Sequence, residues 1–290
     1  MEPIFHMLVY GGLYGLVAVS FNVLYRPTNV FNFAQGQFVA IGALLAAALL
    51  KGGVPWVIAL VIALLAVGAL SLLVETTAVA PVLSRSATSH TWLITTLAVS
   101  LILDDLAAKI FGGEAQPVAV PAPLSSDYLI RVGDTGLSSY DLLVIVVPVL
   151  VVIGLAKLYA TRPGRAISAI AEDRQGAVLR GIDPVLLTRV SWFVGGALAA
   201  LAGVLAGPIM YASVSLGPSL LITGFAAVAI GGVGDNRGAM AGGYLLALVE
   251  GLTAARIAAD LTDVATFVVL LLVLLVKPTG LFGERQVARV

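Results

Sequence analysis

Long stretches of apolar residues recur along the whole chain and are separated by short polar segments. A helix needs roughly 20 residues to cross a hydrocarbon core about 30 Å thick, and many of the stretches have that length. The charge-free or nearly charge-free runs cover residues 4–25, 33–50, 54–74, 91–111, 140–160, 190–234, 238–256 and 261–276. The pattern predicts an all-α integral membrane protein, because a helix satisfies its backbone groups within a single segment.

The run at 190–234 is too long for one membrane helix. Two Gly-Pro pairs, Gly207-Pro208 and Gly217-Pro218, interrupt it, and proline removes a backbone donor from a helix. We therefore predict two spans joined by a break. The whole chain, residues 1–290, is expected to form a single transmembrane domain, a polytopic bundle of about eight to nine helices in which some are broken or re-entrant.

Composition supports this prediction and removes several alternatives. Hydrophobic residues make up 60% of the chain and charged residues 11%, against about 25% charged in an ordinary soluble domain. The first three residues carry no basic segment, so we expect the run 4–25 to be kept as a span and not removed as a signal peptide. The absence of cysteine excludes disulfides and thiolate chemistry. The equal numbers of basic and acidic residues give no reason to expect a nucleic acid partner. Membrane lipid is expected to surround the chain.

The distribution of basic residues predicts the orientation. If the N-terminus is outside and the spans alternate, Lys51, Lys109, Arg131 and Arg256 fall outside, and the other twelve of the 16 basic residues, Arg285 and Arg289 among them, fall inside. Basic residues concentrate on the cytoplasmic side of membrane proteins. We therefore predict an outside N-terminus and a cytoplasmic C-terminus.

An amide-rich segment follows Pro27. Asn29, Asn32, Gln35 and Gln37 lie in otherwise apolar sequence, and such groups need partners inside a bilayer. Pro27 disfavours helix at the residue before it. One interpretation is a broken helix that includes Phe33 and hydrogen-bonds a solute on its path. The alternative is a capped loop at the inner interface.

A hydroxyl-rich segment interrupts the later half of the chain. Ser213 and Ser215 precede Gly217-Pro218, and Thr223 follows. Two interrupted segments in opposite halves are typical of a binding site near the membrane midplane. The alternative is that these hydroxyls bond back to their own helices.

The largest predicted cytoplasmic stretch, residues 161–187, is rich in arginine and is expected to form a short amphipathic helix. The residues expected on its apolar face are Ile167, Ile170, Ala171 and Val178. Gly181 is suited to a C-terminal cap, and Pro184 prevents simple continuation. The apolar face needs a partner, either the lipid interface or a groove on another subunit.

Ionisable residues inside the spans are functional candidates because they are costly in a bilayer. Asp105 and Lys109 are four residues apart and are expected to pair on their helix. Asp104 points elsewhere and has no predicted partner. Glu250 is too far from Arg256 for a pair of that kind, so it needs water, another helix or a proton, and we favour a bond to another helix.

Metal and nucleotide sites have no support in the sequence. His6 and His90 lie near predicted membrane edges without metal-ligand spacing, so both are expected to be solvated and no metal is predicted. The chain contains no GxxxxGK[ST] segment for ATP phosphates. It also offers no constellation of nucleophile, acid and base, so we do not expect an enzyme.

Several ordered motifs together resemble the permease family of branched-chain amino acid ABC importers, which also includes urea, amide and aromatic-acid transporters. They lie at residues 14–18, 32–36, 164–182, 199–205, 225–234, 238–243 and 277–283. The chain departs from the family where Gln35 and Gln37 replace the common His and Glu, and where Asp104 and Asp105 replace the common Gln-Asn.

The resemblance implies a permease subunit of an ATP-driven importer in the bacterial inner membrane. The implied partners are a second, related permease subunit, two cytoplasmic ATPases that hold ATP and magnesium, and an extracytoplasmic solute-binding protein. The implied cargo is a branched-chain amino acid or a related small polar solute. The residues implied to couple to the ATPase are Arg165, Ile167, Ile170, Glu172, Asp173, Arg174 and Gly181.

A different class of transporter stays open on the residues alone. An ion-coupled secondary transporter or a channel would use Asp104, Asp105 or Glu250 for its ions.

Overall fold

A computed structural model describes residues 2–85, 91–132 and 135–283. His90, Arg285 and Arg289 lie outside the described residues. The helices are α1 (Glu2–Thr28), α2 (Gln35–Lys51), α3 (Trp56–Val74), α4 (Ala80–Arg85), α5 (Thr91–Phe111), α6 (Ser139–Ala160), α7 (Arg162–Glu172), α8 (Arg174–Leu179), α9 (Pro184–Met210), α10 (Leu216–Gly231), α11 (Asn236–Arg256) and α12 (Thr262–Val276). A π-helical turn, Glu75–Val79, joins α3 to α4, and a 3₁₀ turn, Ala259–Leu261, precedes α12.

The helices have the lengths that the apolar runs predict. Within the described residues, six are long and apolar enough to cross a membrane: Ile4–Thr28, Trp56–Ser84, Ser139–Ala160, Pro184–Met210, Asn236–Arg256 and Ala259–Val276. Gln35–Lys51 and Leu216–Gly231 are shorter apolar helices. The helix α5 has 21 residues, three of them charged. The prediction of an all-helical, polytopic membrane protein is confirmed.

A small hairpin between α5 and α6 was not predicted. Strands β1 (Tyr128–Val132) and β2 (Thr135–Ser138) pair antiparallel, with an irregularity between residues 128 and 130. Strands of five and four residues are too short to stand out from the surrounding loop as alternating patterns.

Both predicted breaks exist, but each begins after its proline. Helix α1 continues through Arg26 and Pro27 to Thr28, so the expectation that Pro27 ends the helix at Arg26 is wrong. Helix α9 likewise passes Pro208 and ends at Met210. Each proline lies in or near a last helical turn, where few hydrogen bonds depend on it, and packed membrane helices tolerate it. The chain leaves the helices at Asn29 and Tyr211, whose φ angles are +54° and +63°.

The chain divides into two compact units. One comprises residues 1–22, 122–152 and 222–290, and the other residues 23–121 and 153–221. The expectation of one domain for residues 1–290 stays a prediction.

In the second unit, small residues let α9 approach α2 and α3 closely. A side chain at Gly203 would overlap the Val39 carbonyl on α2, and one at Gly42 would lie 2.6 Å from the Ala200 backbone. At Gly196 it would overlap Ser71 of α3, whose hydroxyl donates to the Trp192 carbonyl at 2.8 Å. Lipid gives apolar helices no hydrophobic reason to associate, so this close packing supplies the attraction.

In the first unit, glycines again mark the helix contacts. Gly15 of α1 lies against Met240 of α11, and Gly11 lies against Tyr244. Gly242 of α11 leaves no room for a side chain beside the Ala227 carbonyl of α10. Small residues therefore permit close helix packing in this unit as well.

A buried asparagine holds the turn between α10 and α11. Asn22 accepts a hydrogen bond from the Gly234 N–H at 2.9 Å and donates to the Asp235 carbonyl at 3.0 Å. The segment after α12 packs on the same turn, where the Leu281 N–H donates to the Ile230 carbonyl at 2.7 Å. Two separate motifs of the resemblance, around residues 231 and 281, therefore meet in one structure.

Candidate functional site

The amide-rich break is held to α9 by its own side chains. The Asn32 side chain accepts from the Ala34 N–H at 3.1 Å and donates to Gln35 Oε1 at 3.4 Å. Gln35 Nε2 donates to the Gly195 carbonyl of α9 at 3.0 Å. Asn32 and Gln35 thus fix the start of α2, while Asn29 is exposed and Phe33 is half-buried.

Gln37 makes a different connection. Its side chain is 3% exposed, and Nε2 donates to Asp104 Oδ1 of α5 at 2.9 Å. Its carbonyl oxygen, Oε1, is buried and has no hydrogen-bond partner within the described part of the chain. Sequence reasoning left Asp104 unpaired and did not connect these residues, which are 67 positions apart. The one feature of the sequence that could have connected Gln37 with Asp104 is that both positions depart from the family pattern.

The hydroxyl-rich break lies beside the start of α2. Gly217 and Gly36 are so close that a side chain on Gly36 would overlap the Gly217 carbonyl. A Cβ on Gly217 would lie 2.9 Å from Gln37 Oε1. The structure therefore brings part of one predicted path segment to part of the other.

The serines stabilise the break itself. The Ser213 and Ser215 hydroxyls lie 2.9 Å apart, within hydrogen-bond distance. The residue before them, Ala212, exchanges two backbone hydrogen bonds with Gln116, at 2.8 and 2.9 Å. Thr223 lies further along α10, half-buried and within the first compact unit.

The segment predicted to be cytoplasmic is two helices instead of the predicted one. Asp173 is extended, with φ −152° and ψ 99°, and its carboxylate accepts from the Gly176 N–H at 2.9 Å to begin α8. Aspartate is a strong N-cap, so it ends one helix and begins another. Ile167 and Ile170 are buried, but Val178 is 51% exposed, so its placement on their face was wrong.

The end of α8 follows the prediction. Gly181 has a φ of +79°, and the Ile182 N–H donates to the Ala177 carbonyl at 3.1 Å, as in a helix C-terminal cap. Asp183 then caps α9, which begins at Pro184. Leu179 is 88% exposed. Other exposed residues of the segment are Arg165, Glu172, Asp173 and Arg174.

Two of the predicted charge interactions are confirmed. Lys109 Nζ lies 2.6 Å from Asp105 Oδ2 on an exposed face of α5. Glu250 bonds to two other helices: the Tyr14 hydroxyl of α1 donates to Oε2 at 2.8 Å, and the Thr266 hydroxyl of α12 donates to Oε1 at 2.9 Å.

A third charge interaction was missed. Glu75, in the π-helical turn, has a side chain only 5% exposed, and its Oε2 lies 3.8 Å from Arg189 Nε of α9. The sequence showed only a glutamate at the end of an apolar run. Glu75 begins the π-helical turn, and such turns inside long helices often mark functional positions.

Metal binding finds no support in the described residues, where no group of three or more potential ligands occurs. His6 is half-buried and stacks on Tyr10 with 4.2 Å between ring centroids, so its prediction as a solvated histidine was wrong.

Comparison with known proteins gives a consistent result. Residues 4–275 match the family described as branched-chain amino acid transport system, permease component. The chain is 29% identical to the high-affinity branched-chain amino acid transport system permease protein LivH of Escherichia coli, covering 100% of this chain and 97% of the relative. It is 30% identical to the corresponding protein BraD of Pseudomonas aeruginosa, covering 100% and 98%.

An archaeal relative is also similar. A probable branched-chain amino acid transport permease protein LivH of Methanocaldococcus jannaschii is 32% identical, over 95% of this chain and 90% of the relative. No solved structure matches the chain.

Proposed function

The chain belongs to the family of branched-chain amino acid transport system permease components, and from this premise we propose that it is the membrane subunit of an ATP-driven importer. Its proposed cargo is a branched-chain amino acid or a related small polar solute. A solute-binding protein delivers the cargo outside, and the subunit itself performs no covalent chemistry.

The proposed assembly needs partners that supply energy. Two cytoplasmic ATPases hold ATP and magnesium, and a second, related permease subunit completes the pathway. The proposed location is a bacterial inner membrane with the N-terminus outside and the C-terminus in the cytoplasm, as the distribution of basic residues favours.

The observation that carries the proposal is the exposed end of the segment between α6 and α9. Val178 and Leu179 are exposed apolar side chains next to charged, exposed Arg174 and Arg180. An apolar tip surrounded by charge is suited to a groove on another protein. Ile167 and Ile170 are buried in the chain itself, so in this proposal they position the segment and do not contact the ATPase.

In the proposed mechanism, helix α9 transmits movement from the ATPases to the helices beside the Gln37 group. Helix α7 packs on α9, which also packs on α2 and α3. Movement of the ATPases would push on α8, and α9 would transmit the displacement to the helices beside the Gln37 group. The residues proposed near the solute path are Asn29, Asn32, Phe33, Gln35, Gln37, Ser213, Ser215 and Thr223.

Co-purification with the ATPases tests the coupling surface. We expect Leu179→Glu to abolish ATPase capture, because a carboxylate in an apolar groove loses its hydration without a partner. Leu129→Glu is the matched control, since Leu129 is 66% exposed on β1, in a different segment, and should leave capture unchanged. Glu172→Arg should weaken capture without disturbing the Asp173 cap.

Reconstitution separates this proposal from the alternative. In proteoliposomes, uptake should require both ATPases, ATP and the solute-binding protein. Uptake by the purified chain alone, driven by an ion gradient, would show a secondary transporter and refute the importer. Unchanged capture of the ATPases by the Leu179→Glu variant would refute the proposed coupling surface.

A further inference from the structure

We propose that Gln37 Oε1 and the Asp104 carboxylate form the subsite that receives the ammonium group of the transported amino acid. This inference rests on the proposed function and deepens it. Its basis is a buried amide oxygen, Gln37 Oε1, that has no hydrogen-bond partner among the described residues, on a side chain whose nitrogen donates to the Asp104 carboxylate.

The first observation is the unsatisfied amide oxygen. Gln37 is almost fully buried, and its Nε2 is committed to Asp104, yet Oε1 has no partner in the part of the chain that the structure describes. A buried acceptor left without a hydrogen bond is costly, so native proteins rarely keep one without an occupant. The occupant must therefore be a donor.

The second observation is the charge beside that oxygen. Asp104 is partly buried within α5, and its only ion-pair candidate on the same helix, Lys109, binds Asp105 instead. Among the described residues no cation lies within ion-pair distance of Asp104. A carboxylate and an amide carbonyl both accept hydrogen bonds, and an ammonium group has three donors and no acceptor.

The third observation is the glycine backbone that lies beside the amide oxygen. Gly217, at the first turn of α10, faces Gln37 Oε1, and a single added carbon there would approach within 2.9 Å. A glycine therefore keeps this side of Oε1 free of a side chain. The group also lies where the two interrupted segments meet, which is the position expected for a transported solute.

Moving the negative charge from position 104 to position 37 is the test. Transport of leucine is measured in proteoliposomes that contain the complete complex and saturating solute-binding protein. Asp104→Asn should lower the uptake rate at least about tenfold, the effect of losing one charge-assisted hydrogen bond. The double variant Gln37→Glu with Asp104→Asn places the carboxylate at position 37, next to its original position, and should recover most of that loss. Asp105→Asn, on the exposed Lys109 pair, is the control and should change uptake by less than about twofold.

A binding measurement distinguishes loss of the ammonium subsite from misfolding of the variant. Leucine at millimolar concentration should raise the melting temperature of the wild-type complex and of the double variant without any solute-binding protein. It should not do so for Asp104→Asn. The analogue 4-methylpentanoate, which lacks the amino group, should stabilise none of them.

The outcomes separate this inference from the proposed function. If wild type imports leucine but Asp104→Asn imports it equally well, the subsite is refuted and Gln37 Oε1 is hydrogen-bonded only to water. The proposed importer function is unaffected by that result. A double variant no better than Asp104→Asn also refutes it. If the wild-type complex moves no amino acid, the proposed function fails, and the subsite fails with it.

Discussion

Substitution of Gly203 by alanine tests a close helix contact in the second compact unit. Gly203 lies on α9 against the backbone of α2, and the added Cβ would overlap the Val39 carbonyl oxygen and lie 3.0 Å from the Ala43 nitrogen. Both neighbours are backbone atoms of a helix, so no side chain can rotate away. The two helices must separate locally to accept the methyl group.

The magnitude follows from two opposing effects. Overpacking of a rigid interior costs about 1–3 kcal/mol, and the upper part of that range applies because backbone meets backbone. Alanine is a better helix former than glycine by up to about 1 kcal/mol. The expected net loss is about 2 kcal/mol of stability, which corresponds to a fall of several degrees in the melting temperature.

The measurement is thermal unfolding in detergent, followed by the fluorescence of the three tryptophans. Gly154→Ala is the matched control, because Gly154 lies within α6 and an added Cβ meets no atom within 4 Å. That variant should be as stable as wild type or slightly more stable. If Gly203→Ala unfolds at or above the temperature of Gly154→Ala, the close approach of α9 to α2 is wrong.

Three hydrogen-bond predictions follow from the described contacts, each measured by the same unfolding assay. Tyr14→Phe removes one donor from buried Glu250 and should cost about 1–2 kcal/mol; stability equal to wild type would show that the bond contributes nothing. Asn22→Ala should cost about 2–3 kcal/mol, because the Gly234 N–H loses its acceptor and the turn before α11 loses its support; a loss smaller than that of Tyr14→Phe contradicts this ranking. Ser71→Ala should cost under about 1 kcal/mol, since its hydroxyl bonds a helix carbonyl of α9; a loss above about 2 kcal/mol contradicts it.

Local pattern was enough to predict the helices and where they are interrupted. The apolar runs correspond to the helices, and the amide-rich and hydroxyl-rich segments lie at the observed breaks near Asn29 and Tyr211. The prolines located these breaks only to within a few residues. A proline in a last turn removes a hydrogen bond that the helix end hardly needs, so the helix continues past it.

Pairs of polar groups could be predicted only when they were close in sequence. Asp105 and Lys109 share a helix face at four-residue spacing, and the sequence predicts their pairing directly. The partners of Gln37 and Glu75 are 67 and 114 residues away, on other helices. No local spacing specifies which helix will face which, so these pairs were missed.

The sequence and the tertiary structure determine different features of this protein, for a physical reason. Apolar length and polar interruption are properties of a segment and its solvent, so the sequence by itself determined a polytopic helical protein and the positions of its breaks. Helix association in a bilayer depends on close packing and buried polar bonds between distant segments. Only the structure therefore decided that Asp173 splits the arginine-rich segment 161–187 and that Ile167 and Ile170 are buried. It also decided that Gln37 meets Asp104 and keeps one oxygen without a partner among the described residues.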